Sequence, residues 1–330
     1  MASQYIESTF TKQDVPFEVP LRPSYLNDFS GQDKIKERLE VMILAAKQRG
    51  EALGHCLFSG PPGLGKTTLA NILAKSMGTQ LISTSGPVLE KPGDLAGLLT
   101  SLKEGDIFFI DEIHRLNRQV EEYLYSAMED FFIDLIIDNG PNARSLQLKL
   151  NRFTLTAATT RNGLLSAPLR SRFQYSSRLD YYSCANLSAI LIRTADLLKM
   201  QLNKEASFEI ALRSRGTPRI ANNILRWVRD YAQVKGYAPI DLNVVKEALS
   251  LLSIDEKGLD ELDLKILKVI IEYYNGGPVG LTTIAAAIGE EPDTIEEVSE
   301  PYLIMQGFLE RTSRGRKATH LAYQHLNKGG

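Results

Sequence analysis

The chain has 330 residues, with 38 lysines and arginines against 40 aspartates and glutamates and a formal net charge of −2. Hydrophobic residues at 43% and charged residues at 24% argue against a disordered chain and against a disulfide scaffold. The length predicts two or three domains, and balanced charge means that any nucleic-acid footprint has to be local.

No apolar run is long enough to span a bilayer. The polar start, Met1 to Phe10, lacks the basic and apolar regions of a secretory signal, so the sequence predicts a cytoplasmic protein with no membrane partner. Cys56 and Cys184 are far apart in apolar company and read as buried free thiols. The four histidines have no ligand spacing.

Residues 1–18 are polar and aperiodic and read as a flexible tail. Pro20 to Phe29 alternates prolines with apolar anchors and predicts an extended strap. A helix follows from Gln32 to Gln48, burying Ile35, Leu39, Ile43 and Ala46 and closed by Gly50. Next comes Gly60-Pro61-Pro62-Gly63-Leu64-Gly65-Lys66-Thr67-Thr68, placed between a short apolar strand, Cys56 to Ser59, and a helix marked by Leu69, Ile72, Leu73 and Met77. In that context the stretch is a phosphate-binding loop. Glycines bring backbone N–H groups close to phosphate oxygens at a positive helix end, with Lys66 for the β- and γ-phosphates and Thr67 for Mg²⁺.

Gln80 to Thr84 predicts a second strand and Pro92 to Leu102 a helix. Ile107-Phe108-Phe109-Ile110-Asp111-Glu112 then reads as a buried parallel strand ending in two carboxylates. Ligands of such sheets gather at the strand C-termini, which puts Asp111 on the metal and Glu112 on the attacking water. After a helix from Arg118 to about Asp130, two alternating segments, Ile133 to Asp138 and Leu146 to Leu150, flank the turn-forming run Asn139 to Ser145 and predict a β-hairpin. Its leucines either pack on the sheet or face a partner. Phe153 to Ala158 is a further central strand delivering Thr159, Thr160 and Arg161 to the active edge, where a threonine either holds the lytic water or merely ends the strand. Arg170 and Arg172 precede the strand Tyr175 to Leu179. In a ring, one of them would enter a neighbour's site as an arginine finger.

Residues 183–254 read as a small helical domain, with Thr217 as N-cap and Pro218 in the first turn of its third helix, so that Arg219 sits at a fixed helix start. From residue 255 to 330 three helices, Leu262 to Tyr273, Leu281 to Ile288 and Thr294 to Met305, precede a hairpin of Phe308 to Thr312 and Ala318 to Leu321 around the loop Ser313 to Lys317. This is a winged-helix outline. Asp293, Glu296, Glu297 and Glu300 make its third helix repulsive to phosphates, whereas Arg311, Arg314, Arg316 and Lys317 concentrate positive charge on the wing.

With Leu21-Arg22-Pro23, Glu90-Lys91-Pro92-Gly93-Asp94, Asp111-Glu112-Ile113-His114-Arg115-Leu116, Ala158-Thr159-Thr160-Arg161, Pro168 to Phe173, Gly216-Thr217-Pro218-Arg219 and Gly307 to Thr312 in this order, the chain resembles the AAA+ ATPases, and among them the motors of Holliday-junction branch migration. Ala158 stands where such proteins more often have glycine, and Ser30 where they often have isoleucine.

The resemblance implies an α/β fold: an AAA+ P-loop parallel sheet with helices on both faces over 19–182, then a helical lid and a winged helix. It implies ATP hydrolysis to ADP with Mg²⁺, a homo-hexameric ring on duplex DNA, and catalytic work by Lys66, Asp111, Glu112, Thr159 and, in trans, Arg172. Nucleotide contacts fall to Leu21, Arg22, Gly63, Gly65, Lys66, Thr67, Thr68, Tyr182 and the second sensor Arg219, with metal at Thr67 and Asp111. It also implies wing contacts to DNA, a junction-binding partner docked on the hairpin near Ile133 to Leu150, and a resolvase in the same complex. An origin-initiator ATP switch also joins such an ATPase to a winged helix and is the alternative. A clamp-loader subunit fits less well, because Arg311 to Lys317 reads as a wing.

Overall fold

The computed structural model describes residues 21–136 and 145–326. The expected N-terminal tail and the hairpin tip lie outside the described residues. The chain forms two compact units, one reaching Tyr182 and the other starting at Ser183.

The first unit is built on five parallel strands: β1 (Cys56–Ser59), β2 (Leu81–Ser85), β3 (Ile107–Asp111), β6 (Thr154–Thr159) and β7 (Tyr175–Arg178), in the order β2-β3-β6-β1-β7. β1 and β6 are fully buried along their length because both faces are covered, β1 as Cys-Leu-Phe-Ser and β6 with Thr154, Thr156 and Thr159 buried beside its apolar residues. Strand β3 shows how the pleat divides the core. Phe108 and Ile110 pack with Leu95, Leu99, Val120 and Leu124 of helices α3 (Pro92–Ser101) and α4 (Arg118–Glu129), whereas Phe109 points the other way, onto Ala70 of α2 (Lys66–Met77). Burying each such phenylalanine contributes roughly 1.5–3 kcal/mol.

Helix α1 (Asp33–Arg49) buries Ile35, Leu39, Ile43 and Ala46 as its periodicity predicts, and Gly50 ends it in the left-handed conformation. The strap before it is not extended throughout. Leu26–Asp28 makes a 3₁₀ turn that delivers Phe29 into the core.

The hairpin strands β4 (Phe132–Ile136) and β5 (Ser145–Lys149) pair antiparallel, with Ile133 opposite Leu148 and Leu135 opposite Leu146. The packing reading of its leucines holds for part of the hairpin. Leu150 and Ile133 belong to the core, Leu148 packs partly against it, and Leu146 is exposed.

The second unit begins with four helices, α6 (Cys184–Leu197), α7 (Lys204–Leu212), α8 (Pro218–Lys235) and α9 (Leu242–Leu251), after the short α5 (Ala167–Ser171) has closed the sheet unit. It continues with α10 (Glu261–Lys268), which a π-helical turn extends over Val269–Tyr273, and α11 (Leu281–Ile288). A helical run from Pro292 to Met305 follows, with a π turn at Ile295–Ser299 and its last part, α12, at Glu300–Met305. Strands β8 (Leu309–Thr312) and β9 (Gly315–Ala318) form the wing, and helix α13 (His320–His325) ends it.

The wing differs from its expected form. Gly315, Arg316 and Lys317 are strand rather than loop, and His320 starts a helix instead of extending the hairpin. Val279 supplies the reason: its N–H and C=O both bond to Arg316, at 2.8 Å each, as an isolated antiparallel bridge beside β9. Only glycine fits just before that contact, since Gly315 has φ +135° and a Cβ there would lie 2.4 Å from the Val279 carbonyl oxygen.

A cluster of buried charge ties the lid helices to the winged helix. Arg215 donates from Nε to the Gly258 carbonyl at 3.0 Å, pairs with Asp263, lies 3.6 Å from Asp260, and stacks 4.8 Å from the Tyr302 ring. All four side chains are buried.

Candidate nucleotide site and winged-helix surface

The loop between β1 and α2 is shaped by close approaches that exclude side chains. Gly60 has φ +133°, and a Cβ on it would meet the Leu179 carbonyl oxygen at 2.5 Å. Gly65 has φ +102° and lies under the Phe29 ring, which a Cβ would meet at 3.0 Å. The strap therefore contributes to the site by packing Phe29 on the loop. Tyr182 closes the other side: its hydroxyl donates to the Leu64 carbonyl at 3.0 Å, and burial pushes its pKa up, so the phenol stays neutral.

Lys66, the first residue of α2, donates from Nζ to the Gly60 and Pro61 carbonyls at 2.7 and 2.8 Å. Its charge is thereby held at the loop's inner rim. The Thr67 hydroxyl donates to Asp111 Oδ2 at 3.4 Å, which brings the second loop residue and the last residue of β3 together.

Glu112 does not continue β3. It adopts a left-handed conformation, φ 46° and ψ 45°, and starts a 3₁₀ turn over Ile113–Arg115. The Asp111 carboxylate accepts its N–H at 2.9 Å, and Arg115 N–H bonds its carbonyl at 2.9 Å. The Glu112 carboxylate is paired with Arg115 at 3.2 Å. A non-glycine residue in this conformation costs about 1 kcal/mol or more and persists where its surroundings fix it.

Thr159 ends β6 and is fully buried. Its carbonyl accepts the Gly60 N–H at 3.1 Å, and its hydroxyl lies 3.1 Å from His114 Nδ1 while accepting the Arg161 N–H at 3.1 Å.

In the second unit, the wing's positive charge divides in two. Arg311 bonds Glu296 at 2.8 Å, and Arg316 bonds the buried Glu300 through Nη2 at 2.8 Å and Nε at 3.1 Å. These pairs offset much of the repulsion expected from the third helix. Arg314 and Lys317 are exposed, and among the described residues neither has an ion-pair partner.

Residues 21–179 match a family described as the Holliday junction DNA helicase RuvB P-loop domain, residues 182–255 the RuvB AAA lid domain, and residues 256–327 the RuvB C-terminal winged helix domain. The chain belongs to the RuvB family. It is 66% identical over 326 residues to the Holliday junction branch migration complex subunit RuvB of Protochlamydia amoebophila, covering 99% of this chain and 98% of that one. It is 60% identical over 319 residues to the protein of the same name from Flavobacterium johnsoniae, covering 97% and 94%. Among solved structures it is similar to the Thermotoga maritima RuvB Holliday junction branch migration motor, at 51% identity and a TM-score of 0.84, covering 94% of this chain and 99% of that one. RuvB-family membership makes the first unit a P-loop ATPase domain that binds nucleotide.

Within this RuvB-family frame, the structure brings Lys66, Thr67, Asp111, Glu112 and Tyr182 to one strand edge with Gly63 and Gly65, while Leu21 is buried in the same unit. Arg172 is half-buried within its own subunit: Nη1 donates to the Pro168 carbonyl at 2.7 Å, Nη2 pairs with Glu129 at 3.0 Å, and the guanidinium lies 4.4 Å from the Tyr125 ring. Arg219 stands in the first turn of α8, but Thr217 is a cap by position only, because its hydroxyl donates to the Arg215 carbonyl at 3.3 Å. Of the two thiols, Cys56 is buried and raised by burial to about 12, whereas Cys184 is only half-buried. Sequence reasoning passed over His114 and Arg115. The i, i+3 spacing of Glu112 and Arg115 was the available signal for the second, and the place of His114 within the Asp111 to Leu116 motif was the one for the first.

Proposed function

We propose that this chain is an ATP-driven DNA translocase that moves the branch point of Holliday junctions. It works in the cytoplasm as a homo-hexameric ring on duplex DNA, with RuvA as junction-binding partner and the RuvC resolvase in the same complex. The reading is carried by one observation: a loop lysine, a hydroxyl–carboxylate pair and a separately turned carboxylate converge at one strand edge in a chain whose relatives are named branch migration complex subunits.

The backbone of Gly63 to Thr68 cradles the phosphates, and Lys66 exchanges its two carbonyl partners for β- and γ-phosphate oxygens. Thr67 and Asp111 suit Mg²⁺: one hydroxyl and one carboxylate, 3.4 Å apart, match a hard cation that keeps several waters and takes phosphate oxygens. When bound, Mg²⁺ neutralises charge developing on the phosphates. Glu112 takes the proton of the attacking water. Leu21, Arg22 and Tyr182 enclose adenine and ribose, Arg219 is the second sensor, and Thr159 supports the water-activating turn. Arg172 leaves Glu129 and Tyr125 to complete a neighbour's site. Arg311, Arg314, Arg316 and Lys317 face DNA from the wing, and the hairpin from Ile133 to Leu150 docks RuvA, with Leu146 as its exposed apolar contact.

Unwinding of a four-way junction, with and without RuvA, tests the motor; a Lys66→Ala protein that still unwinds the junction would sink it. Arg172→Ala is expected to spare ATP binding and lower turnover by about 10³-fold or more. Activity should return on mixing with Glu112→Gln subunits.

A further inference from the structure

Three strand ends meet at Thr159, and two of its bonds lead to the parts of the site that must move together. Through its carbonyl, Thr159 holds the N–H of Gly60, the first residue of the phosphate loop, at 3.1 Å. Through its hydroxyl it meets His114 Nδ1 at 3.1 Å, on the 3₁₀ turn that follows Glu112. That hydroxyl also accepts the Arg161 N–H. The buried hydroxyl already accepts from Arg161, and its own proton would lack an acceptor unless it pointed to His114, which assigns Nδ1 as the acceptor.

The Glu112 turn is also anchored by Ile113, which is buried in the core of the sheet unit, but the hydrogen bonds of Glu112 itself go to its own neighbours. Its N–H goes to Asp111, its carbonyl to Arg115, and its carboxylate to the exposed Arg115, a pair worth little in water. Gly86, after β2, approaches so closely that a Cβ there would lie 2.5 Å from the Glu112 carbonyl oxygen. That contact limits where the turn can go but does not hold it. The hydrogen bond between His114 and Thr159 ties the turn to the strand bonded to the phosphate loop.

We propose that His114 is a positioning residue for ATP hydrolysis: by accepting the Thr159 hydroxyl, it registers the Glu112 turn against the phosphate loop. This rests on the reading of Glu112 as the group that activates water. A misplacement of about 1 Å in such a group can cost about 10²-fold in rate while leaving substrate binding intact.

The test is steady-state ATP hydrolysis, with ATP affinity measured separately, on full-length His114→Ala, His114→Asn and His114→Gln. An asparagine Oδ1 falls near the place of Nδ1 and can accept the Thr159 proton; a glutamine oxygen reaches towards Nε2 and cannot. The expected result is kcat down at least tenfold in the alanine and glutamine variants, ATP affinity within about threefold of wild type, and most of kcat recovered by asparagine. Thr159→Val, which also removes the acceptor of the Arg161 N–H, should lower kcat at least as much, and adding His114→Ala to it should cost little more, since the bond to His114 is already gone.

Alanine with near wild-type kcat, equal kcat for asparagine and glutamine, or additive losses in the double variant would each overturn the proposal. If the alanine protein does not fold, the asparagine–glutamine contrast still decides. Glu112→Gln separates the underlying reading: sustained hydrolysis in that variant would refute Glu112 as the activating group, whatever His114 does.

Discussion

The two compact units each bury a titratable group, and they satisfy it by opposite means. In the first unit His55 lies between Phe131 and Phe153, with Nδ1 accepting the Leu155 N–H at 2.9 Å and Nε2 donating to the Met128 carbonyl at 3.0 Å. Both ring nitrogens are used by backbone, one as acceptor and one as donor, so only the neutral imidazole fits. Burial lowers its pKa accordingly. In the second unit Asp263 meets the Arg215 guanidinium, whose pull only partly offsets the burial that raises the Asp263 pKa. A neutral group can be satisfied by strands that pass nearby in any case. A buried ion needs a dedicated partner, and removing one member leaves the other exposed to the full desolvation cost.

The largest effect therefore belongs to Arg215. Arg215→Met should destabilise the second unit by about 3–5 kcal/mol, because Asp260, Asp263 and the Gly258 carbonyl lose their common donor. Trp227, the only tryptophan in the sequence, lies in that unit on α8, so its fluorescence during urea denaturation reads the change directly. A loss under about 1 kcal/mol would mean that apolar packing, not charge, joins the lid to the winged helix. His55→Phe keeps the aromatic volume but orphans the Leu155 N–H and the Met128 carbonyl, and is expected to cost the first unit about 2–4 kcal/mol. Faster hydrogen exchange across Thr154 to Thr159 would show it; unchanged protection there would remove His55 from the account.

Acidity separates the same two sites with opposite signs. His55 is depressed in the folded state, so its contribution is present above the unfolded value of 6.5 and is lost as pH falls from there through the folded value. Asp263 is raised to about 7, by burial first and by Asp260 as well, against the pull of Arg215. Its contribution is full below 3.8 and is lost as pH rises through about 7. Relative to Asp263→Asn, the wild type should lose stability in Trp227-monitored denaturation between pH 5 and about 8, whereas protection around Leu155 should improve over the lower part of that range. Parallel trends in both units would contradict the contrast.

These differences follow how far apart the interacting residues lie in the chain. The phosphate loop was legible because its strand, glycines, lysine and helix are contiguous, and the same holds for Asp111 at the end of an apolar strand. Arg215 was silent because its partners Gly258 and Asp263 lie 43 and 48 residues away. The bond from Thr159 to His114 was silent for the same reason, with the two 45 residues apart. The wing misled the reading differently. Its arginines were visible, but Arg316 was placed on a loop, since neither the bridge to Val279 nor the pair with Glu300 has a local signature. Glu296 and Glu300 looked repulsive for want of the arginines that meet them in space.

The smallest expected effect tests whether the wing repeats the division between structural and available charge. Arg316 is mostly buried on Glu300, whose side chain is 2% exposed, so Arg316→Ala strands a carboxylate and should lower the Trp227-monitored stability as well as DNA binding. Loss of DNA binding in that variant is not evidence of a DNA contact. Arg314 and Lys317 are exposed and hold up no buried partner among the described residues. Replacing both with alanine should leave stability within about 0.5 kcal/mol and flatten the dependence of log affinity on log salt for duplex DNA by up to about 1.8, two phosphates at roughly 0.9 each. Arg311 falls between, being exposed but paired with Glu296 at 2.8 Å, and its replacement should change the slope by less than one phosphate's worth. If the Arg314 and Lys317 variant keeps its salt slope while Arg311→Ala loses a full unit, the wing meets DNA through the arginine that the fold ties to Glu296, and that pair must open on binding.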